Sequence, residues 1–532
     1  MRACCLLIAV STIWANPKVD KIFERFDKTS SPGCSVGVLR DGQIVYKHAY
    51  GMANLDHDVP LKSDSVFHVA SVSKQFTAAA ILLLAHEGKL SLDDAVRKHV
   101  PELPDFGPVI TIRHLVHHTS GLRDQWSLLG LAGWRYSLDL ITDDDVLEMV
   151  SRQKGLNFKP GEQHLYSNTG YTLMAIIVKR VSGQSFREFT KARMFDPLGM
   201  KNTHFRDDHA EIVKNMAYGY APSPGAYRLS VTNFDTVGAT SLLTTAEDMA
   251  LWDKDFYDRK VGGDALLDRM TERGRLNTGE TLNYAFGLTM GAYRGLRVVE
   301  HGGSDAGYRA HFLRMPEQRF SVVCLCNLST ANPSRLAREV AEVFLSKEMS
   351  EADAGPGKSG LALSEEQLNR HTGLYWNRDG DQIRRFEVKE GKLRLLLAGQ
   401  SMPLEPLAED RFRHDSLPWQ FRFEPSRLVE TSGGGKPDIF ERAVEFVPDR
   451  REFVGTYQSE ELEAAYRIVI EKDALVLKRL RARPATLEPT VKDVFSGGPG
   501  NFRFTRDAQG RVSGFVLNAG RIRNMPFRKA AR

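Results

Sequence analysis

The last third of the chain repeats itself. Three short motifs recur at an offset of about 82 residues, and the pairs are Thr372-Gly373-Leu374-Tyr375 with Val454-Gly455-Thr456-Tyr457, Leu404-Glu405-Pro406 with Leu487-Glu488-Pro489, and Phe421-Arg422-Phe423 with Phe502-Arg503-Phe504. Short alternating runs separated by turns surround each motif, which is typical of β-strands. We therefore predict two copies of an all-β unit, each a small antiparallel barrel of about eight short strands.

The rest of the chain has a different character. Helical periodicity dominates up to about residue 346, and a stretch of small residues from Ser350 to Gly360 then reads as a linker. A chain of 532 residues is long enough for several domains. We predict a signal peptide at 1–16, a first folded domain at 17–346, a linker at 347–362 and barrels at 363–448 and 449–532.

The N-terminus predicts export. One positive charge at Arg2, a short apolar stretch and Ala15 before Pro17 are typical of a secretory signal peptide, which implies a periplasmic or secreted protein. The alternative is a buried N-terminal helix. No stretch reaches about 18 apolar residues, so we expect no membrane span. The net charge of +5 is spread among acidic residues, which gives no indication of nucleic-acid binding.

The cysteines do not suggest a disulfide framework. Cys4 and Cys5 would leave with the signal peptide, and the remaining Cys34, Cys324 and Cys326 lie in apolar, strand-like runs. Because three is an odd number and both runs look like core, we expect buried free thiols. The chain has no cysteine pair with zinc spacing and no His-Glu-x-x-His motif, so we predict neither a metal nor a cofactor.

Ser71 and Lys74 stand at the start of a predicted helix. Good helix formers run from Thr77 to Glu87, and Gly88 closes the run. N–H groups at a helix N-terminus favour developing negative charge. Residues three apart share a helix face, about 4.5 Å apart along the axis, so a neutral lysine can take the serine proton. The alternative is a helix cap beside a solvated cation, because Ser-x-x-Lys alone is common.

Two further elements follow in order. Tyr166-Ser167-Asn168 comes after a Pro-Gly turn and before a helical run from Tyr171 to Val181, and His301-Gly302-Gly303-Ser304 lies between two strand-like runs. Ser-x-x-Lys, a Ser-Asp-Asn-type element and Lys-Thr-Gly in this order are the signature of penicillin-binding proteins and serine β-lactamases. The alternatives are a core tyrosine and a plain strand with a bulge, in which the glycines serve no substrate.

With these motifs, about residues 20–345 resemble the class C β-lactamase-like serine hydrolases, a group that includes penicillin-binding proteins, D-Ala-D-Ala carboxypeptidases, D-aminopeptidases and some esterases. The resemblance implies an α/β domain, with an antiparallel sheet flanked by helices and a helical subdomain. The two lipocalin-like barrels make the organisation most similar to D-aminopeptidases. The roles implied by the resemblance are Ser71 as nucleophile, Lys74 as its proton-handling partner, Tyr166 as proton shuttle, Asn168 as a substrate-amide ligand, His301 in place of the usual lysine, and the N–H groups of Ser71 and Ser304 as oxyanion hole.

The substrate expected from this reading is a small amide or peptide. His301 is largely uncharged at neutral pH, whereas a lysine presents a fixed cation, so the site should demand a substrate carboxylate less strongly. Gly302 and Gly303 fit a backbone that a substrate approaches closely. We expect a peptidase or amidase acting on D-amino-acid compounds. An esterase, a β-lactamase and a non-catalytic binding protein remain as alternatives, and homo-oligomerisation stays open.

Two other motifs are read as structural. Gly33-Cys34-Ser35-Val36-Gly37 matches the nucleophile elbow of α/β-hydrolases, but that motif needs a strand-to-helix turn, and this serine lies inside a strand that leads to a hairpin. Adjacent side chains such as His117 and His118 point in different directions on a helix, so they do not converge on one atom.

Overall fold

The computed structural model of the chain describes residues 16–351, 361–397, 400–414, 419–432 and 437–531. The predicted signal peptide with Cys4 and Cys5 lies outside these ranges except for Asn16, and so does most of the predicted linker. Within the described ranges, no helix combines the length and apolar character needed to cross a membrane. The chain forms two compact units, one made of the residues up to Gln125 and from Tyr136 to the linker, the other of Trp126–Arg135 and the C-terminal part.

The first unit contains eleven of the described helices and fifteen strands, although helix α4 has only its first residue there. The helices are α1 (Pro17–Phe23), α2 (Lys74–His86), α3 (Ile112–Val116), α4 (Gln125–Ala132), α5 (Asp143–Ser151), α6 (Asn168–Ser182), α7 (Phe186–Thr190), α8 (Asp196–Leu198), α9 (Ala246–Asp258), α10 (Gly263–Arg269) and α11 (Pro333–Leu345). The strands are β1 (Cys34–Arg40), β2 (Gln43–Tyr50), β3 (Met52–Asn54), β4 (Val59–Pro60), β5 (Phe67–His68), β6 (Ile141–Thr142), β7 (His204–Phe205), β8 (Tyr220–Ser223), β9 (Ala226–Leu229), β10 (Phe234–Asp235), β11 (Leu242–Thr244), β12 (Thr289–Tyr293), β13 (Leu296–Asp305), β14 (Tyr308–Met315) and β15 (Phe320–Cys326).

A six-stranded antiparallel sheet forms the centre of this unit, in the order β12-β13-β14-β15-β1-β2. Every residue of β15, and every residue of β1 except the last, is buried. Such continuous apolar strands need cover on both faces. Helices α1 and α11 cover one face, and α9 packs on the other. The predicted antiparallel sheet flanked by helices is confirmed.

The prediction of free thiols is wrong for two of the three cysteines. Cys34 of β1 lies directly opposite Cys326 of β15, and the two form a disulfide. Cys324 remains a buried free thiol. The partners are 292 residues apart in sequence, and only the pairing of β1 with β15 brings them together. An odd number of cysteines says nothing about such a pairing.

Helix α2 passes through the middle of the helical subdomain. Its residues from Lys74 to Leu84 are all buried, which is the pattern of a helix surrounded by protein on every side. Gly88 follows its last turn with φ of 69°, as the predicted helix stop requires. Helix α6 packs against α2 and includes the predicted run from Tyr171 to Val181.

The C-terminal residues form two closed eight-stranded antiparallel barrels, as the repeat predicts. A short helix, α12 (Glu365–Asn369), precedes the first barrel. The strands of the first barrel are β16 (Gly373–Asn377), β17 (Gln382–Lys389), β18 (Lys392–Leu397), β19 (Gln400–Ala408), β20 (Arg411–His414), β21 (Trp419–Phe423), β22 (Arg427–Ser432) and β23 (Asp438–Ala443). The strands of the second are β24 (Gly455–Ser459), β25 (Ala464–Glu471), β26 (Ala474–Lys478), β27 (Ala485–Pro489), β28 (Val494–Gly497), β29 (Gly500–Arg506), β30 (Val512–Ala519) and β31 (Ile522–Lys529).

The repeated motifs supply the barrel interiors. The tyrosine, leucine and phenylalanine residues that recur at matching positions are buried in both copies, and they are Tyr375, Leu404, Phe421 and Phe423 in the first barrel and Tyr457, Leu487, Phe502 and Phe504 in the second. Within the same compact unit, the Tyr466 hydroxyl donates a hydrogen bond to the carbonyl of Leu131 at 2.9 Å. Repetition of interior residues is therefore the physical origin of the repeat in the sequence.

Candidate active site

Ser71 lies in a tight turn immediately before helix α2. The turn is a 3-10 helix, Ala70–Ser73, so the predicted helix start is confirmed with a distorted first turn. Ala70 has φ of 49°, a left-handed conformation that L-residues other than glycine rarely adopt. Such strain persists only where surrounding contacts impose it, and it is common beside reacting groups. Ser71 itself is half-buried, which leaves its side chain accessible at the edge of the site.

Lys74 reaches the serine as the spacing predicts. Its ammonium Nζ donates hydrogen bonds to Ser71 Oγ at 3.1 Å, to Asn168 Oδ1 at 2.8 Å and to the carbonyl of Ala239 at 2.6 Å. The side chain is 0% exposed. It also lies 4.9 Å from the centre of the Tyr166 ring. The alternative of a solvated surface cation therefore does not fit this lysine.

Asn168 is held from both ends of its amide. The oxygen accepts from Lys74, while Nδ2 and the backbone N–H both donate to Asp124 Oδ2 at 2.8 Å. Asn168 is the first residue of α6, so the Asp124 carboxylate also lies at the positive end of that helix. In this arrangement the amide orients Lys74. Its predicted contact with a substrate amide is not tested and stays a prediction.

The ring of Tyr166 packs among other aromatic rings. The ring of His118 lies 4.2 Å from it, and His118 Nδ1 accepts the backbone N–H of Ser167 at 3.2 Å. His118 is 1% exposed and has φ of 56°. It therefore holds the peptide after Tyr166. His117 packs edge-on against Phe286 instead, and burial lowers its pKa to about 4.

His301 is a neutral imidazole. Burial, and secondarily the positive charge of Lys74, lower its pKa to about 3. Nδ1 lies 2.6 Å from the carbonyl of Gly302, which can only accept, so Nδ1 carries the proton. Nε2 therefore accepts from the Tyr284 hydroxyl at 3.2 Å. The ring centre is 6.3 Å from that of Tyr166.

Strand β13 presents an open edge beside the turn that carries Ser71. Its neighbour β12 pairs with it only as far as Glu300, whereas β14 pairs with the whole stretch His301–Asp305. Among the described residues no third strand covers that stretch on the β12 side. Backbone N–H groups alternate in direction along an antiparallel strand, so every second one of these faces the open edge.

Gly303 is required by the protein's own backbone. A Cβ at this position would lie 2.1 Å from the carbonyl oxygen of Val69, two residues before Ser71. The glycine thus allows β13 to pack closely against the turn that carries Ser71, and this close packing places Ser304 next to that turn. Gly302 differs, because a Cβ there would make only ordinary contact, 3.4 Å from a His311 ring nitrogen.

Asp305 ties three parts of the site together. Its Oδ2 bonds His68 Nε2 at 3.0 Å and the Thr240 hydroxyl at 2.8 Å, and its Oδ1 accepts from the Tyr136 hydroxyl at 2.5 Å. His68 precedes the nucleophile turn, Thr240 follows the Ala239 carbonyl that receives Lys74, and Asp305 ends β13. The carboxylate is 4% exposed.

The motif around Ser35 and two clusters of metal-ligand-type residues are not part of this site. Ser35 is fully buried within β1, so it cannot act as a nucleophile elbow. Two groups of residues in the described part of the chain bring three ligand-type atoms within 4.8 Å of one another. One comprises the disulfide-bonded Cys34 and Cys326 with Cys324. The other is Asp208, His209 and Asp235, where the His209 ring already bonds the Asp235 carboxylate.

Sequence reasoning missed the residues that orient the others, above all Asp124, Asp305, His68 and Tyr284. Each acts through a partner in another segment of the chain, 44 residues away for Asp124 and Asn168, 17 for Tyr284 and His301 and 237 for His68 and Asp305.

Comparison with known proteins agrees with this geometry. The Beta-lactamase family model matches residues 19–345. A penicillin-binding protein of Bacillus subtilis is 31% identical over 411 residues, 74% of this chain and 90% of that protein. A D-aminopeptidase of Brucella melitensis is 25% identical over 520 residues, 94% of this chain and 96% of that one. The octameric penicillin-binding protein homologue from Pyrococcus abyssi covers 85% of this chain and 95% of its own, with 26% identity and a TM-score of 0.55. The chain therefore belongs to the beta-lactamase family.

Proposed function

We propose that this protein is a serine hydrolase that forms an acyl-enzyme at Ser71 and cleaves small amides or peptides containing D-amino acids. The observation that carries the proposal is the 3.1 Å contact between Lys74 Nζ and Ser71 Oγ inside a site where the lysine is fully buried. A nucleophile within hydrogen-bond reach of a base, which a third group orients, is the arrangement that acyl transfer needs. Asn168 is that third group.

In the first step Ser71 Oγ attacks the substrate carbonyl carbon, and its proton passes to Lys74 and Tyr166. Lys74 must be neutral to receive it, which burial favours. The oxygen of the tetrahedral intermediate takes the negative charge. The N–H groups of Ser71 and Ser304 receive it, and each such donor contributes about 3–4 kcal/mol in other acyl-transfer enzymes.

In the second step the C–N bond breaks. Tyr166 returns the proton to the leaving nitrogen, so the amine departs neutral and the acyl group stays on Ser71 Oγ. A water molecule then attacks the acyl carbon and gives up a proton through the same groups. The acid is released and the Ser71 hydroxyl is restored.

The neutral state of His301 supports an amide or aminopeptidase substrate. With a pKa of about 3, this imidazole offers no positive charge to a carboxylate at neutral pH. Substrates with a free carboxylate beside the scissile bond, including penicillins, therefore lack the partner that a lysine supplies. The relatives named D-aminopeptidase support the preference for D-amino acids. Short acyl esters are the second candidate, because they too carry no carboxylate.

The test is active-site labelling followed by a substrate panel. The full-length protein is treated with a fluorophosphonate and, in parallel, with a fluorescent penicillin, and intact-mass and peptide mapping locate the adduct. We expect a fluorophosphonate adduct on Ser71 that is absent from Ser71→Ala. Folded wild-type protein that takes up neither reagent would contradict the acyl-enzyme and favour a non-catalytic binding protein.

The substrate panel separates the remaining candidates. We expect turnover of D-alanine p-nitroanilide that is far faster than turnover of the L-enantiomer. Ester cleavage without amide turnover would instead make the protein an esterase, and fast hydrolysis of the chromogenic cephalosporin nitrocefin would make it a β-lactamase. The Ser71→Ala variant is the control for contaminating activity in each assay.

We also propose export and self-association. The N-terminal pattern supports export, and so does the Cys34–Cys326 disulfide, because disulfides persist mainly in oxidising compartments. N-terminal sequencing of protein recovered from a bacterial periplasm should begin near Pro17, and an intact Met1 in the cytoplasm would contradict export. The octameric state given for the Pyrococcus abyssi homologue supports a homo-oligomer. Light scattering that reports a monomer would contradict it.

A further inference from the structure

A second pocket lies in the same compact unit as Ser71 but is lined by other residues. Its volume is about 660 Å³, and its walls come from the stretches 53–65, 206–216 and 229–233 together with Tyr218 and Tyr308. None of the candidate catalytic residues lines it. A volume of this size is within the range of small-molecule sites, which is about 300–1,000 Å³. We call it the loop pocket.

The loop pocket gathers large apolar side chains that are open to water. Val59, Ile212, Tyr218, Leu229 and Val231 line it, and their exposed fractions are 43%, 93%, 42%, 52% and 39%. Single exposed apolar residues are ordinary, but several around one concavity mark a binding surface. An apolar ligand would remove these side chains from water at about 25 cal/mol per Å² of buried area.

The charges around the loop pocket are positive on balance. Lys62 and Arg206 line it, and neither forms an ion pair within the described part of the chain. The Arg206 guanidinium donates only to backbone carbonyls, those of Asp208 and His209. Two cationic side chains therefore line the pocket without an ion pair of their own among the described residues.

The acidic group in the lining has its ion-pair partner outside the pocket. Glu211 pairs with Arg187 at 2.6 Å, a guanidinium that Asp207 shares at 3.1 Å, and it also lies 3.1 Å from the His204 ring. Glu211 therefore forms its ion pair with Arg187 and not with Lys62 or Arg206. A ligand that fits both the walls and the charge has an apolar body and one negative group.

We propose that the loop pocket binds a small amphipathic carboxylate, such as a medium-chain acyl acid, with the chain against Ile212 and Leu229 and the carboxylate between Lys62 and Arg206. Charge-assisted hydrogen bonds from a guanidinium to a carboxylate are among the stronger polar contacts in proteins. This site is separate from the proposed hydrolytic function and does not depend on it.

The test uses decanoate as the probe and the full-length Ser71→Ala protein, which excludes turnover. Isothermal titration at low salt should give one site per chain, and binding should weaken as salt is raised. Lys62→Gln and Arg206→Gln together should weaken binding at least tenfold, and Ile212→Asp should weaken it similarly. The matched controls Lys201→Gln and Val109→Asp, at exposed positions outside the pocket, should leave it unchanged. Decanol, which lacks the charge, should bind at least tenfold more weakly than decanoate.

Three results would overturn the proposal. The first is no decanoate binding at millimolar concentration in folded protein, and the second is binding that ignores the Lys62 and Arg206 substitutions. The third is a dimer or larger assembly that Ile212→Asp dissociates, because the apolar residues would then serve an interface. The same pocket variants are also made in protein that keeps Ser71 and are treated with the fluorophosphonate. Labelling of Ser71 should be unaffected in them, so failure of the pocket proposal can be told apart from failure of the hydrolase proposal.

Discussion

The ammonium of Lys74 is withdrawn completely from water, yet three oxygens surround it. Burial disfavours the charged form of a lysine, whereas oxygen acceptors favour it. These opposed effects are what the proposed role of Lys74, to take a proton from Ser71 and to return it, requires. His301 shows the opposite case, because burial and the neighbouring cation act in the same direction and keep it neutral.

Replacement of Lys74 with methionine, which has a similar length, should remove the chemistry while sparing the fold. We expect fluorophosphonate labelling of Ser71 to slow by at least about 100-fold, as loss of a general base usually costs. Three acceptors lose their donor, but the desolvation cost of a buried cation disappears, so the free energy of unfolding should not fall. Stopped-flow labelling and urea unfolding measure the two quantities. The exposed Lys98→Met variant is the control, and labelling of Lys74→Met at the wild-type rate would contradict the assignment.

His301 should also make stability depend on pH. Its pKa is about 3 in the folded protein and about 6.5 when unfolded, so between these values only the unfolded state binds the proton. The free energy of unfolding therefore falls as pH is lowered below about 6.5, by about 1.4 kcal/mol per pH unit from this group. His301→Gln should remove that contribution. Urea unfolding at pH 6.0 and 4.5 tests it, with exposed His57→Gln as control; equal slopes in wild type and His301→Gln would refute it.

At the scale of elements, the site depends on how strand β13 is held against the start of helix α2. Gly303 permits the contact with the carbonyl of Val69, and the Asp305 carboxylate fastens the strand to His68 and Thr240. The N–H of Ser304, which is the proposed oxyanion-hole donor, lies between these two fixed points. A small displacement of such a donor should lower kcat more than it weakens substrate binding, because the donor acts mainly on the transition state.

Asp305→Asn tests this positioning role. We expect kcat to fall by about 10- to 100-fold while KM changes little. The reason is that the substitution weakens the hydrogen bonds of the Asp305 carboxylate, which hold the proposed oxyanion donor in place, and hydrogen bonds to a charged group contribute about 1.5–3 kcal/mol. A merely structural carboxylate should lower stability without changing kcat. Asp253 is the matched control, since it is equally buried and bonds Arg314 and Ser321 at 2.7 Å in the same domain. A similar loss of kcat in Asp253→Asn would contradict the role of Asp305.

Elements differ in how far the sequence foretells them. The start of α2, the helix after Tyr166 and the β1–β2 hairpin depend on neighbours in the chain, and all three are confirmed. The open edge of β13 is not a local property, because it exists only where β12 begins at Thr289, opposite Glu300, while β13 continues to Asp305. Sequence motifs identify the candidate reacting residues, whereas the contacts that orient these residues arise from packing between distant segments.

On the scale of the whole molecule, the repeat and the disulfide give opposite lessons. The barrels are predictable because the same interior residues recur in both copies. The segment Trp126–Arg135, by contrast, groups with the barrels although it lies far before them in sequence. Both its grouping and the Cys34–Cys326 disulfide depend on contacts between segments hundreds of residues apart, which no local pattern records.

The disulfide should be a major contribution to the stability of the first unit, because it joins strands β1 and β15 across 292 residues of chain. Constraint of so long a loop in the unfolded state stabilises the folded one, and removal of a native disulfide typically costs about 2–5 kcal/mol. We expect the double variant Cys34→Ala with Cys326→Ala to lose this amount in urea unfolding. Dithiothreitol should lower the free energy of unfolding of the wild type similarly and leave the double variant unaffected.

The Cys324→Ala variant distinguishes loss of the disulfide from loss of a buried sulfur atom, since this variant keeps the disulfide and should remain sensitive to the reductant. A wild type whose unfolding ignores dithiothreitol, with thiol counting that finds three free cysteines in the described part of the chain, would mean that β1 and β15 are held by packing alone.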